Sequence, residues 1–136
     1  MTEAVMWHEL ADNPKAMSQL YKTVPSLEGM ELHKLLLHRD GPRLTLDADL
    51  ACFPDNPPAR WVRDGYNRAS IQLDFWGIQS VNISGWSTEM TVDIQIERTD
   101  SGEISVMAKS SKGHCNFSAV CQHFRIAHIT GYLAEQ

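Results

Sequence analysis

The chain has 136 residues, a net charge of −5 and an ordinary globular composition, with 43% hydrophobic and 21% charged residues. This length is enough for one domain, residues 1–136, with a hydrophobic core of its own. The acidic balance argues against a non-specific nucleic-acid binder, which needs clustered Lys and Arg, and it permits a basic protein partner.

The start of the chain shows no targeting signal. Residues Met1–Met6 lack the basic and apolar regions of a secretory leader, and no apolar run approaches the ~20 residues that span a bilayer. The three cysteines, Cys52, Cys115 and Cys121, are an odd number and too few for a disulfide framework. We therefore expect a cytoplasmic protein without a membrane partner, in which these thiols are reduced, buried and free of metal.

A helix is predicted near the start of the chain. Asn13 suits the N-cap position and Pro14 the first helical position, whereas Pro25 ends the pattern. Between them, apolar residues recur at helical spacing and form one stripe: Met17, Leu20, Tyr21 and Val24. The pattern predicts one short N-terminal helix that packs this stripe on the core.

The rest of the chain is typical of β-strands. Between Arg43 and Leu50, leucine and alanine alternate with other residues, which predicts one buried and one solvated face. About seven strands are predicted, near residues 31–38, 43–50, 71–75, 78–83, 90–96, 104–108 and 117–129, the last of them bulged or bent. Because strand follows strand through short turns, we expect a mainly β (α+β) fold of antiparallel strands, either a sandwich or a strongly curved sheet.

A proline-rich connection separates the second and third predicted strands. Three prolines fall between Phe53 and Trp61, and proline can occupy neither a helix interior nor a central strand. The segment is therefore expected to be an ordered, stiff loop held at its two ends by Phe53 and Trp61, with Trp61 docked on the core. A pocket under residues 53–66 would suit a small-ligand site, since such sites favour ordered loops on β scaffolds.

The residues give little support to catalysis. His114, Cys115, Cys121 and His123 are zinc-ligand types, but on an extended strand Cys115 and Cys121 would lie roughly 20 Å apart. No cysteine lies at a helix N-terminus, where a thiolate would be stabilised, and no glycine-rich loop precedes a helix. We therefore expect no enzyme, no catalytic residue, no metal site and no cofactor.

Acidic residues recur on the predicted solvated faces of three strands. They are Asp47, Asp49, Asp74, Asp93 and Glu97. Carboxylates in such pairs can be a merely solvated face, can bind calcium or act as acid and base, or can form ion pairs with a basic protein partner. Trp76 and Trp86 would add large anchors to a binding surface if they are exposed.

The ordered set of motifs resembles a known family. The residues that carry it are, in chain order, Trp7, Asn13-Pro14, Leu20-Tyr21, Pro25-Ser26-Leu27, Gly41-Pro42, Leu44, Leu46, Phe53-Pro54, Pro57-Pro58, Trp61, Gly65-Tyr66-Asn67, Gln72-Leu73, Phe75, Gly85-Trp86 and Ile129-Thr130-Gly131-Tyr132. Together they resemble the bacterial polymorphic-toxin immunity proteins, specifically immunity protein family fifty. The resemblance implies a cytosolic protein that binds and neutralises a secreted toxin and has no catalytic residues.

Two hypotheses follow. The first is a binding module that occludes its cognate toxin stoichiometrically, with the five acidic residues as toxin-binding candidates, so that charge reversal at Asp93 and Glu97 would slow association. The second is a small β-domain enzyme or small-ligand binder with its pocket under residues 53–66.

Overall fold

The computed structural model describes residues 6–110 and 112–134, and these residues form one curved, open antiparallel sheet. Its strands are β1 Met30–His38, β2 Arg43–Asp49, β3 Arg68–Trp76, β4 Ser80–Ser84, β5 Thr91–Arg98, β6 Ile104–Ser110, β7 Asn116–Cys121 and β8 His123–Tyr132. The prediction of a mainly β fold is confirmed, and of its two alternatives the structure is the curved sheet rather than the sandwich. No helix in these two ranges is long and apolar enough to cross a membrane.

The strand order is β4-β7-β6-β5-β1-β2-β3-β8. The pairing between β1 and β5 is the narrowest in the sheet, because it involves only Met30 with Val92 and Glu31 with Thr91. The sheet therefore has two halves, β1-β2-β3-β8 and β5-β6-β7-β4. We call the surface of the first half that faces away from the core the outer face.

The core lies on the inner side of both halves. In β2 the inward residues Leu44, Leu46 and Ala48 are fully buried, and in β3 Leu73 and Phe75 are too. The predicted alternation of these strands is therefore correct. Burying a Leu or Phe side chain contributes about 1.5–3 kcal/mol, so the alternating pattern contributes much of the stability of the sheet.

A tight corner brings the two ends of the sheet together. The predicted last strand is in fact two strands, β7 and β8, which are separated by Gln122 alone. The Gln122 N–H donates to the Trp76 carbonyl at 3.0 Å. Gly77 has a φ of 68° and leaves room for the Gln122 side chain, because a Cβ at position 77 would lie 2.7 Å from that side chain. Because β7 lies near one end of the sheet and β8 at the other, the sheet must curl at this corner.

The predicted N-terminal helix is wrong in type and length. Residues Trp7–Leu10 and Pro14–Ala16 form two 3-10 turns, and the only α-helix in the described part of the chain is α1, Ala59–Arg63. Asn13 occupies the N-cap position of the second turn, as predicted, but its side chain makes no capping hydrogen bond. Its amide pairs instead with edge strand β8: Nδ2 donates to the Ile126 carbonyl at 2.8 Å, and Oδ1 accepts from the Ile126 N–H at 2.9 Å. Covering an exposed strand edge in this way prevents unwanted pairing.

The apolar stripe of this segment is nevertheless buried as predicted. Met17 is fully buried, Tyr21 is 4% exposed and Val24 is 9% exposed. The helical spacing therefore identified core residues correctly and their backbone conformation incorrectly.

Trp61 docks on the core as predicted. It lies in α1, directly after the prolines, and it is 5% exposed. Its ring is 6.1 Å from that of Phe53, and it lies so close to Gly131 in β8 that a Cβ there would be 2.5 Å from a ring atom. The proline loop is thus fixed to the last strand through Trp61.

The cysteines follow the prediction in part. Cys115 and Cys121 are buried, but Cys52 is exposed, because the chain has left β2 and its alternation no longer applies. All three are free thiols. Burial, with Asp12 as a smaller cause, raises the pKa of Cys121 to about 12, and burial also raises the pKa of Cys115.

Trp61→Ala is expected to lower the free energy of unfolding by about 3–5 kcal/mol, because it removes a large buried side chain. Val62→Ala is the matched control: Val62 is the next residue of α1 and is 66% exposed, so its loss should change stability by about 0.5 kcal/mol or less. Urea denaturation of both variants measures the difference. Equal midpoints would contradict the docking of Trp61.

Thiol labelling should distinguish the cysteines. In the native protein only Cys52 should react quickly with a thiol reagent near neutral pH, because Cys115 and Cys121 are buried and their raised pKa values disfavour the reactive thiolate. In denaturant all three should react. Mass spectrometry after brief labelling identifies the sites, and early native modification of Cys121 would contradict the structure.

Candidate functional site

A polar groove crosses the outer face near the C-terminal end of β8. Its volume is about 340 Å³. Its lining, which defines it from here on, consists of His33, Asp47, Asp49, Ser70, Gln72, His128, Thr130 and Tyr132. Among these residues are two of the five acidic side chains that the sequence indicated.

The strand register assembles the floor of the polar groove. Two rows of cross-strand neighbours run over β2, β3 and β8: Asp47–Gln72–His128 and Asp49–Ser70–Thr130. Ser70 Oγ bridges them by donating to Asp47 Oδ1 at 2.9 Å. The residues come from three strands far apart in sequence, so the groove depends on pairing between distant segments.

Two β-bulges border this groove. The β1–β2 register shifts between Leu32 and Lys34, so His33 is the extra residue. In β8 the register shifts where Gln72 pairs with His128 and Leu73 with Ile126. A bulge redirects side chains locally. His33 is in the bulge of β1, and His128 lies directly beside the bulge of β8.

Asp49 is the buried centre of the site. Its residue exposure is 2%, although the sequence predicted a solvated side chain. Asp49 lies on the outer face, as predicted, but two side chains cover it. The Tyr132 hydroxyl donates a hydrogen bond to Asp49 Oδ2, and His33 Nε2 lies 3.1 Å from the same oxygen. These two contacts hide the carboxylate from water. Asp49 Oδ1 has no hydrogen-bond partner among the residues described.

The environment of Asp49 also changes Tyr132. Burial, followed by the hydrogen bond to Asp49 and the charge of that carboxylate, raises the pKa of Tyr132 to about 12. The hydroxyl therefore stays protonated near neutral pH and acts as a donor rather than as a base.

The other acidic candidates separate into two places. Asp74 lies on the outer face, in β3, and accepts a hydrogen bond from Thr45 Oγ1 at 2.9 Å. Asp93 and Glu97 are exposed on β5, in the other half of the sheet, and Asp93 Oδ1 accepts from the Gly29 N–H at 2.8 Å. The structure thus brings Asp47, Asp49 and Asp74 onto one face and leaves Asp93 and Glu97 on another part of the surface.

Beyond Asp74 the outer face becomes basic and aromatic. The Arg43 guanidinium lies 4.8 Å from the centre of the Trp76 ring, and Arg43 Nη2 is 3.1 Å from His38 Nε2. Leu36, on the neighbouring strand, is 45% exposed. Arg and Trp are residue types that concentrate in binding hot spots. Sequence reasoning noted Trp76 but missed Arg43, which the same alternation places on this face.

A second exposed apolar region lies at edge strand β4. Trp86, just after the strand, is 55% exposed, so it meets the condition under which the sequence analysis considered it an anchor. Val81 and Ile83 of β4 are also exposed. This region is on the opposite half of the sheet from the polar groove.

A hollow does lie beside the proline loop, as the small-ligand hypothesis requires. Its volume is about 670 Å³, and its lining is Tyr21, Lys22, Thr23, Pro25, Cys52, Phe53 and Asp55. Its polar atoms hold the loop to the N-terminal segment: the Tyr21 hydroxyl donates to the Cys52 carbonyl at 2.5 Å, and the Lys22 N–H donates to Asp55 Oδ2 at 3.2 Å. Burial, then the charges of Cys52 and Asp55, raises the pKa of Tyr21.

The zinc-ligand types near the end of the chain do not converge. Cys115 and Cys121 are buried in the core. His123 lies on the exposed side and places Nδ1 2.6 Å from Asp12 Oδ2. Strict alternation would place Cys121 and His123 on one side, but the corner at Gln122 interrupts the strand, so the thiol is buried and the imidazole is exposed.

Tyr132→Phe is expected to reduce the loss of stability at alkaline pH. Because the pKa of Tyr132 is about 12 in the folded protein and 10.0 ordinarily, the unfolded chain releases this proton first. The wild type therefore loses free energy of unfolding between about pH 10 and pH 12, and Phe removes that contribution. Urea unfolding at about pH 8 and about pH 11 tests this. An identical loss in both proteins would contradict the contact with Asp49.

Comparison with known proteins gives one match. The family model described as Immunity protein 50 matches residues 13–132 of the chain. No curated protein and no solved structure matches it. The matched range begins at the Asn13 that covers the edge of β8 and ends at the Tyr132 that contacts Asp49, so it includes the whole sheet. The chain therefore belongs to the Immunity protein 50 family.

Proposed function

We propose that this chain is a cytoplasmic, non-enzymatic inhibitor that binds a cognate bacterial polymorphic toxin and covers its active site or substrate groove. The observation that carries the proposal is membership of the Immunity protein 50 family over nearly the whole chain. An immunity protein needs a rigid surface that contacts one toxin and rejects its relatives.

The outer face is the surface best suited to this contact. It is rigid, because β1, β2, β3 and β8 pair along most of their lengths. It is also chemically varied, with the Arg43–Trp76 stack at one end, Asp74 in the next cross-strand row and Asp47 in the row after that. Charges of both signs lie along it, since exposed Lys34 is the cross-strand neighbour of Asp47. A fixed arrangement of such charges orients a partner, because a rotated partner would meet like charges.

The accessible carboxylates and Asp49 have different roles in this proposal. Asp47 and Asp74 are partly exposed and can form ion pairs with basic side chains of the toxin. Asp49 is buried and acts indirectly, because it holds Tyr132 and His33 in place. Asp93 and Glu97 form a separate acidic patch on β5, which would contact a toxin large enough to extend past the junction of the two halves.

The proposal is tested with the toxin domain encoded beside this chain. Co-expression should restore growth of a host that expresses the toxin, and the two purified proteins should bind. Asp47→Asn with Asp74→Asn should weaken binding by about 0–1 kcal/mol per charge and reduce its salt dependence. Trp76→Ala should weaken it by about 2 kcal/mol or more if Trp76 is an anchor.

Two further variants locate the interface. Asp93→Lys with Glu97→Lys tests the β5 patch, since charge reversal there should slow association if the toxin reaches it. Trp86→Ala, at the opposite half of the sheet, is the matched aromatic control and should leave binding unchanged. If Trp86→Ala abolishes binding and Trp76→Ala does not, the outer face is the wrong surface. If the wild type neither binds nor protects, the proposed function itself is rejected.

A further inference from the structure

Three metal-ligand side chains meet at one end of the polar groove. A carboxylate oxygen of Glu31, a ring nitrogen of His33 and a carboxylate oxygen of Asp49 all lie within 4.8 Å of one another. In the described part of the chain no other group of three or more His, Cys, Asp or Glu is so arranged. Glu31 is the cross-strand neighbour of Asp49, and the β1 bulge at His33 brings the imidazole to the same carboxylate.

The spacing of these atoms fits a metal ion of the size of zinc. Bonds from zinc to imidazole nitrogen and carboxylate oxygen are about 2.0–2.2 Å, so neighbouring ligand atoms of a tetrahedral site are about 3.3 Å apart. His33 Nε2 and Asp49 Oδ2 are 3.1 Å apart. Glu31 is exposed on the strand surface, so its side chain can move the short distance that would complete the set.

The state of Asp49 is an independent reason to expect a cation. Its side chain is 3% exposed, and its Oδ1 atom has no partner among the described residues. A buried carboxylate oxygen without a donor is unfavourable, because its hydrogen bonds to water are lost and no hydrogen bond within the protein replaces them. A cation bound by Asp49 would offset the charge that this buried carboxylate carries.

The chemistry of the three ligands selects the type of ion. Calcium and magnesium favour sites built from oxygen alone, whereas an imidazole nitrogen with carboxylates suits zinc and similar transition metals. Tyr132, which donates to Asp49, would act as the outer hydrogen-bond partner that orients this ligand. Three protein ligands leave a fourth position for water or for a group from another molecule.

We propose that Glu31, His33 and Asp49 form a zinc-binding site at the end of the polar groove. The proposal departs from the metal-free chain expected from the sequence, which had considered zinc only at the histidines and cysteines between residues 114 and 123 and calcium at the acidic pairs. It does not depend on the proposed toxin inhibition, because it concerns the isolated protein and the metal alone.

The experiment uses the purified full chain, stripped of metal with a chelator and then titrated with zinc chloride. After desalting, the wild type should retain one zinc ion per chain by elemental analysis, and its thermal midpoint should rise with added zinc. His33→Gln and Glu31→Gln should each weaken zinc binding by about tenfold or more. Calcium chloride at the same concentrations should not raise the thermal midpoint.

His38→Gln is the matched control, because His38 lies on the same strand and the same face but contacts Arg43 instead of a carboxylate. It should bind zinc like the wild type. The metal-free thermal midpoint of each variant shows whether it has folded, and Glu31→Gln, at an exposed position, keeps the test valid if His33→Gln is unstable. The proposal is overturned if the wild type retains no zinc, or if the His33 and Glu31 variants bind it as tightly as the wild type.

Discussion

The single-residue connection at Gln122 is the constraint on which the rest of the structure depends. It joins β7, near one end of the sheet, to β8 at the other end, so the sheet cannot lie flat. The curl places the apolar sides of β2, β3, β5 and β6 toward a common core and turns the polar sides outward. It also sets β8 beside β3, and without that pairing the polar groove would have no third strand.

The outer face shows how one buried carboxylate can organise a surface. Asp49 contacts Tyr132 from the last strand and His33 from the first, and so it connects the two strands that flank β2 and β3. Asp47, Asp74 and the Arg43–Trp76 stack lie on the same face, in successive cross-strand rows.

The sequence predicted what depends on local pattern and missed what depends on distant contacts. Alternation in β2 and β3 correctly assigned Leu46 and Phe75 to the core and Asp47 to the outer face. The segment from Asn13 to Val24 has helical spacing, but the Asn13 amide instead bonds the backbone of β8, a competition that propensity does not describe. The burial of Asp49 depends on Tyr132, 83 residues later, and no local pattern contains that information.

The pairing of Asn13 with Ile126 has a consequence for synthesis on the ribosome. The two residues are 113 positions apart, so the hydrogen bonds of the Asn13 side chain can form only after the last strand has been synthesised. Until then β3 has a bare edge, and Trp61 lacks the Gly131 backbone against which it packs. A nascent chain of this kind completes its fold only after its C-terminal strand has left the exit tunnel, because contacts between distant segments form late.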